Sequence, residues 1–584
     1  MIPFRQQQVT AVTLLLLVIV ADLCGSSHRV SALTTPPIFA SKSSPISTSL
    51  FAKTKQPAIR RVAIIGSGIA GLTLAHALEN NNKNSPDGNM EINIYDSRSI
   101  IDSTLGAGVQ LNGGMSVLHK INPELASKAM NAAVPVTRIC SRTQSSSSSS
   151  SLDYDTLLEL DLKQSVLDTG GITKQELIVN GELMSFAIRR GVLQQVLIDN
   201  LSEDTSNRMF LDKTLRGVEQ QGSGGDGNEQ GITCVFEDGT IEGPFDLVVG
   251  CDGINSAVKQ FVDTGSLSSK ITTNQSSLTN SAIYSGLRVK FAVSDDPSDT
   301  SDNGTELHQY FGDGTYTLAG TYGAGAGKPP SRMAFVVYRD DNYFGPFRKP
   351  PRVEEEIQKQ KKTETEQEKE PDENTDWAQD NTFMAATTNN NNSIDPRKTA
   401  ILSQINNANV PSSEIEPIIQ QCNRFFDLGV YLHNPFSISG WCREVPRSGG
   451  RFCVLAGDAA HAMPPFLGQG ANQAVQDAYS LALEIDQYNR NLLQPLNYDN
   501  NGNPNINVDN EENNESIITL QEHLKRYESK RWRVTTSLTA KAAFLGYLET
   551  GGGFLSKFRD VFFFTMGKIG VARKVFLDGA TPRV

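Results

Sequence analysis

Apolar and polar positions along the chain follow two rhythms, and where each holds predicts an element. Residues 61–65, Arg-Val-Ala-Ile-Ile, form a short apolar run that gives way at Gly66 to a helical pattern through 72–78. That order is expected of a buried parallel strand feeding a helix. A second strand is predicted over 92–95 and stops at Asp96. Two-residue alternation marks 156–160, and runs rich in β-branched and aromatic residues predict strands over 283–291, 307–311, 315–322 and 333–338. Helices are predicted over 191–201 and 473–485, and the segment after Ser516 is helical in pattern. Residues 323–328, Gly-Ala-Gly-Ala-Gly-Lys, lie between two of these strands and read as a glycine hairpin, because Pro329 stands where a phosphate loop needs Ser or Thr.

Three stretches carry neither rhythm: 145–151, which is all serine, the charged and Asn-rich 354–393, and the Asn-rich 489–514. So few apolar side chains leave the entropy of ordering uncompensated, and all three are expected as surface insertions or disordered loops. A chain of 584 residues exceeds one ordinary core, so two intertwined lobes with appendages are expected. At the N-terminus Arg5 precedes an uncharged stretch centred on 12–20 that ends at Asp22, a signal-type segment too short to span a bilayer comfortably. Residues 23–78 then contain no acid and many Ser, Thr and Pro, as in an organellar transit segment. The pair resembles the bipartite presequences of algae with complex plastids, with simple secretion as the alternative; residues 1–57 are read as targeting.

Charge and cysteines narrow the chemistry. A net charge of -12 and a pI near 5.3 exclude a nucleic-acid surface, which needs concentrated Lys and Arg. Cys24 falls in the targeting segment, and Cys140, Cys234, Cys251, Cys422, Cys442 and Cys453 show no C-x-x-C spacing. Buried free thiols are expected at Cys251 and Cys453, and no metal site is expected.

Three glycine-bearing turns carry the candidate function. In the first, Gly66-Ser67-Gly68-Ile69-Ala70-Gly71 follows the strand at 61–65. Gly66 suits a tight turn, Gly68 a close approach to a pyrophosphate, and Gly71 close packing of helix on strand, while Asp96 is placed for ribose hydroxyls. Alone this turn permits NAD, FAD or an unrelated glycine turn. The second is Gly250-Cys251-Asp252-Gly253-Ile254-Asn255-Ser256-Ala257-Val258-Lys259, and the third runs Gly457-Asp458-Ala459-Ala460-His461-Ala462-Met463-Pro464-Pro465 to Gly468-Gln469-Gly470-Ala471-Asn472.

In this order the three motifs resemble those of the FAD-dependent monooxygenases, the flavoprotein aromatic hydroxylases and zeaxanthin epoxidases. The resemblance spans roughly 58–483, with Lys259 where the family usually has Arg. It implies an α/β fold: a glutathione-reductase-like Rossmann lobe from 58–135, 175–262 and 445–487, and a β-sheet substrate lobe from 136–174 and 271–444. An insertion at 488–515 and C-terminal helices over 516–584 complete the chain. It also implies FAD contacts at Gly66, Gly68, Ile69, Ala70, Gly71, Asp96, Asp252, Gly253, Gly457, Asp458, Gly468, Gly470, Ala471 and Asn472. Arg190 matches an Arg that contacts cofactor phosphates in the family, with Arg189 as an adjacent rival. Pro465 and Gly468 would shape the flavin pocket, and His461 is read as a structural neighbour of FAD before a proton carrier. By the same resemblance, transient NAD(P)H reduces FAD, dioxygen adds at flavin C4a, and one oxygen atom goes to an aromatic or isoprenoid-like alkene substrate. Same-fold reduction of a carbon-carbon double bond, or FAD binding without turnover, are the rivals. The tail repeats Phe554, Phe558, Val561, Phe562 and Phe563 at helical spacing. Packing on the flavin lobe is its first reading and peripheral membrane contact its second.

Overall fold

The computed structural model describes residues 58–83, 90–104, 106–145, 153–220, 230–265, 282–295, 305–340, 396–435, 437, 440–493 and 518–584. The targeting segment, the insertion at 354–393 and most of the other two insertions lie outside the described residues. Residues 58–584 form one compact unit.

Two sheets organise that unit. In the first, the strands run Met209–Phe210, Glu91–Tyr95, Arg61–Ile65, Leu247–Gly250, Phe452–Leu455 and Cys442–Glu444. All neighbours are parallel except the last pair. Val62, Ala63, Ile64, Leu247, Val248, Val249, Cys453, Val454 and Leu455 are wholly buried, which explains why these strands read as continuous apolar runs. Helices Ile69–Lys83 and Gly470–Leu493 pack against one another within the same core. The second sheet has seven strands, in the order Arg424–Leu432, Ile283–Ser294, Ser331–Arg339, Thr315–Tyr322, Glu306–Phe311, Arg138–Gln144 and Tyr154–Asp161. Only Glu306–Phe311 and Arg138–Gln144 run parallel. Ile139, Leu307, Phe291 and Met333 of this sheet cluster with Ala187, while Tyr310, Ala334 and Val336 pack under helices Pro396–Asn407 and Ile415–Gln421.

Three expectations need correction. Cys442–Glu444, placed by the sequence at the end of the substrate lobe, is the antiparallel edge of the six-stranded sheet. Asn489, assigned to an Asn-rich insertion, lies inside the long helix: its side chain accepts from Ile59 N at 2.9 Å and donates to Ile59 O at 3.0 Å. Tyr488 and Leu492 on that turn are buried, so the apolar face continues past the point where asparagines obscure it. The tail divides between the lobes. Helix Leu520–Glu549 opens on a capping box of Thr519 and Glu522 and joins the six-stranded lobe, with Tyr527 donating to Leu455 O at 3.0 Å. After the Gly551-Gly552-Gly553 break, helix Phe554–Lys568 lies instead on the seven-stranded sheet, where Phe563 stacks on Phe311 with ring centres 4.9 Å apart. Gly567 permits that approach, since a Cβ there would sit 2.8 Å from Leu158.

Candidate functional site

The carboxyl ends of the central parallel strands lie side by side, with Tyr95 paired to Ile65, Ile65 to Gly250, and Gly250 to Leu455. In open α/β sheets this edge is where ligands bind. Each strand runs straight into one of the motif segments, so segments hundreds of residues apart in sequence become neighbours. Gly66 has φ +102°, and a Cβ on it would stand 2.4 Å from Cys251 O, so the first turn touches the second. A Cβ on Gly457 would stand 2.9 Å from the Ala70 Cβ, so the third touches the first. Gly71 is closed by contact, with Gly66 O 2.1 Å from its would-be Cβ. Gly68 differs: the nearest atom to a Cβ there is Cys251 O at 4.0 Å, and the space around Gly253 is open to the same probe. Glycine at Gly68 is therefore not required by packing, which is what a cradle for a phosphate leaves behind. Ile69, Ala70 and Gly71 open the adjoining helix, where backbone N–H groups have no carbonyl one turn earlier.

The carboxylates of the motifs occupy three different environments. Asp96 is buried; burial alone would raise its pKa, but hydrogen bonds and charge from Arg98, with Ser67, hold it at about 2. Ser67 N and Oγ donate to Asp96 Oδ2 at 2.8 and 2.6 Å, and Arg98 Nε donates to Oδ1 at 2.8 Å. Asp252 caps the helix Ala257–Thr264, accepting from Ala257 N at 2.7 Å and from Ser256 Oγ at 2.5 Å, with burial pushing its pKa up. Asp458 is exposed and makes no bond to a described residue, and one of its oxygens lies 4.0 Å from the Cβ position of Gly470. Of the three, Asp458 is the carboxylate with its acceptor capacity free.

Two adjacent arginines part company. Arg189 is buried and held by Asp295 Oδ1 at 3.0 Å and Thr104 O at 2.6 Å, so it is structural. Arg190 is exposed, its stem lies beside Gly106, and its guanidinium bonds no described residue. The Asn472 side-chain amide is engaged by protein, which leaves its backbone as the part open to a cofactor. Its Oδ1 accepts from Asn112 N at 3.1 Å and Gly114 N at 2.9 Å, and its Nδ2 donates to Gln110 O at 2.8 Å and Gly468 O at 3.0 Å. It ties the segment after Gly106 to the third motif, leaving exposed Gly468 and Pro465, with half-buried Gly470 and Ala471, on the open side.

His461 is buried, with Nε2 2.5 Å from Asp477 Oδ2. Asp477 also accepts from Gly457 N at 2.9 Å and from Arg531 Nε at 2.7 Å. Burial opposes its ionisation, but His461 and Arg531 outweigh it and hold the carboxyl below its usual range. This buried group was not anticipated, since Arg531 lies in a tail without motif. Arg531 is wholly buried, and its remaining N–H groups reach Gln476 Oε1, Arg583 O and Gln473 Oε1 at 3.1, 2.8 and 2.6 Å. A cleft beside it is lined by Lys259, His433, Trp441, His461 and Trp532. Burial, with Lys259, lowers the pKa of His433 to about 4, so this imidazole is neutral. Cys251 and Cys453 are buried free thiols, as expected. The strands of the other sheet bring Cys140, Glu306 and His308 together, their ligand-type atoms all within 4.8 Å, with Arg138 shared between Glu306 at 3.4 Å and Glu159 at 3.0 Å.

Comparison with known proteins bears on these residues. Residues 436–490 match the family model described as FAD binding domain. A 3-amino-4-hydroxybenzoate 2-monooxygenase of Streptomyces platensis is 56% identical over 45 residues, 8% of this chain and 10% of that protein. The chain therefore matches a tenth of the length of that relative. Among solved structures, HpxO of Klebsiella pneumoniae, complexed with FAD and uric acid, superposes with a TM-score of 0.56 at 16% identity, covering 89% of this chain and 96% of that one. The 2,6-dihydroxypyridine-3-hydroxylase of Arthrobacter nicotinovorans gives 0.53 at 15% identity, over 85% and 95%. A salicylate hydroxylase substrate complex gives 0.51 at 15% identity, over 91% and 100%. At these identities the likeness is one of fold.

Proposed function

We propose, from a chain whose residues 436–490 match the FAD-binding domain and whose fold is that of FAD-dependent hydroxylases, that this protein is itself an FAD-dependent monooxygenase. The observation that carries the reading is the convergence of the strand ends at Ile65, Gly250 and Leu455, with open space at Gly68 and Gly253. FAD fits this edge. The pyrophosphate would meet the backbone of Gly68, Ile69, Ala70 and Gly71, with exposed Arg190 available as counter-charge. Asp96, kept ionised by Arg98, would take an adenosine ribose hydroxyl in exchange for one of its present donors, Ser67 Oγ or the Arg98 guanidinium. Asp458 would accept from the ribityl or ribose hydroxyls. Asp252 serves by fixing the turn at Gly253 through its helix cap.

When bound, FAD would supply the redox chemistry by which two electrons from NAD(P)H and one dioxygen give an oxygenated aromatic or isoprenoid-like product, the second oxygen atom leaving as water. The protein's own part is placement. Gly470 and Ala471 present backbone N–H groups in the first turn of the helix Gly470–Leu493, whose dipole favours negative charge, while the Gly468 N–H is taken by Pro465 O at 2.8 Å. Pro465 and Gly468 shape the wall on the open side, and Phe466, packed on Gly546 and Tyr316, joins that wall to the seven-stranded sheet and excludes water. His461, tied to Asp477, holds the third turn and is not needed as a proton carrier. Screening NAD(P)H oxidation over phenols, quinones and carotenoids under labelled dioxygen tests the reading. One labelled atom in the product supports it; a reduced product without label favours double-bond reduction, and no stimulated oxidation favours a binding role alone.

The same reading takes the chain to a plastid behind the bipartite presequence. A fluorescent protein fused behind residues 1–57 is expected in the plastid, and its retention in the secretory pathway would contradict this.

A further inference from the structure

Successive residues of a helix advance about 100° around its axis, which divides the helix Phe554–Lys568 into two clean faces. Leu555, Arg559, Phe562 and Phe563 turn inward, where Phe563 stacks on Phe311 and Arg559 donates to Gly312 O at 2.7 Å. Phe554, Phe558, Val561 and Phe564 fall on one outer stripe about 120° wide. Phe554 is 86% exposed and Val561 66%, and Ile569 just beyond the helix is 62% exposed. A helix lying on a sheet in water normally turns polar residues outward, so this face is inverted relative to what water selects.

The polar members of the stripe say what covers it. They are Lys557, Thr565 and Lys568, all exposed, with Lys574 following on the next helix; none is acidic. Asp560, the acid of this helix, lies off the stripe and is bonded to Arg559 at 2.9 Å and Thr143 at 3.1 Å. The chain as a whole carries a charge of -12, whereas the charged members of this stripe are lysines, a local reversal of sign. Lys568 holds its ammonium 4.1 Å from the Phe564 ring centre, so cation and apolar face lie side by side. The helix is not long and apolar enough to cross a bilayer. Aromatic side chains on one face with lysines at its rim match a helix lying in the headgroup region of an anionic membrane.

We propose that helix Phe554–Lys568 seats the protein on an anionic lipid surface, with Phe554, Phe558, Val561 and Phe564 entering the acyl boundary and Lys557 and Lys568 meeting lipid phosphates. The inference rests on the monooxygenase reading only for its use: the inner face of this helix packs on Phe311, which neighbours Tyr316 and through it Phe466 of the flavin-side wall. The lipid-facing helix is therefore linked to the flavin-side wall through the successive rings of Phe563, Phe311, Tyr316 and Phe466, which suits a lipophilic substrate held in the membrane.

The test is flotation of residues 58–584, the compact unit, so that the apolar run at 12–20 contributes nothing. Vesicles of phosphatidylcholine alone are compared with vesicles containing phosphatidylglycerol, and flavin absorbance is read in every fraction. The native protein is expected to float with the anionic vesicles. The triple variant F554S/F558S/V561S, altered only at exposed positions, is expected to lose about tenfold or more of that partition while keeping its melting temperature. K557E/K568E is expected to lose the preference for anionic over neutral vesicles. Native protein that stays at the bottom with both vesicle types overturns the proposal, as does a triple variant that floats like the native. A native dimer by light scattering that becomes monomeric in the triple variant also overturns it, because a second copy would then cover the face. Yellow protein at the bottom of the gradient removes the membrane contact and leaves the flavin reading standing.

Discussion

At the edge of the six-stranded sheet the glycine turns meet backbone to backbone, whereas the central strands within the seven-stranded sheet also meet through stacked aromatic side chains. Gly71 lies against Gly66 O and Gly66 against Cys251 O, at distances no Cβ tolerates. In the other sheet, Phe291 is stacked between Phe335 and Phe426, with ring centres 5.6 and 4.4 Å away, contacts that other apolar shapes can replace with modest loss. The lesson is that the glycine turns are held by geometry with almost no slack, while the aromatic face of the seven-stranded sheet is held by volume.

The largest effect follows from Gly71. Gly71→Val forces side-chain atoms into a backbone 2.1 Å from the first added carbon and is expected to abolish folding, read as loss of a cooperative melting transition. Phe335→Leu, the matched change in the seven-stranded sheet, should cost about 1 kcal/mol and leave flavin content unchanged.

Next comes the buried Asp477–Arg531 pair, neither side chain of which is exposed. Arg531→Met removes the cation and leaves the carboxylate to His461, a loss of about 3–5 kcal/mol that denaturant titration would register. It should also loosen the third turn, since Gly457 N is held by the same carboxylate.

Two carboxyls then contrast the lobes by sign. Asp96 is depressed to about 2, so its contribution, about 2 kcal/mol, is present above the ordinary value of 3.8 and is lost as pH falls towards 2. Asp96→Asn is therefore expected to lower stability at pH 7, with the gap from the native protein closing in acid. Glu549, beside the seven-stranded sheet, is buried with Oε2 unbonded among the described residues, and burial raises its pKa well above the carboxylate range despite Arg559. Its folded form favours the proton, so stability is fullest below the ordinary value of 4.5 and falls as pH rises. Glu549→Gln should raise the melting temperature at pH 8 and change little at pH 4; the opposite trend would remove the contrast.

The smallest effect on stability is expected at Arg190. Arg190→Gln should stay within about 0.5 kcal/mol of the native protein while weakening FAD binding about tenfold, whereas Arg189→Gln destabilises the fold through Asp295 and Thr104. Thermal melts of the flavin-free proteins beside fluorescence titrations separate the two.

What could be read in the sequence follows the same division. Gly66, Gly68, Gly71, Asp96 and Gly457 were marked by residue type at short spacing along the chain, and the structure brings them together beside the ends of adjoining strands. The strands at 283–291 and 315–322 were legible from their β-branched and aromatic residues, and extend by no more than a few residues in the structure. Arg531 and His433 were not, since their partners lie far away in sequence and no local rhythm marks a buried ion pair or an imidazole held at Ile254 O. Asn472 was legible as part of the motif, but not that its side chain works on Asn112 and Gly114, whose positions are some 360 residues earlier. The exposed face of Phe554–Lys568 was visible as a pattern, but which half of the phenylalanines turned outward needed the packing on Phe311.

The central claim, that three distant turns close on one FAD, is tested most directly by titrating flavin-free protein with FAD, native beside Gly68→Val. Gly68 has open space where Gly71 has none, so the variant is expected to melt like the native apoprotein and yet take up no FAD, while the native chain binds one per molecule. A native protein that stays colourless in excess FAD, or a folded Gly68→Val that binds it as tightly as the native, would contradict the account.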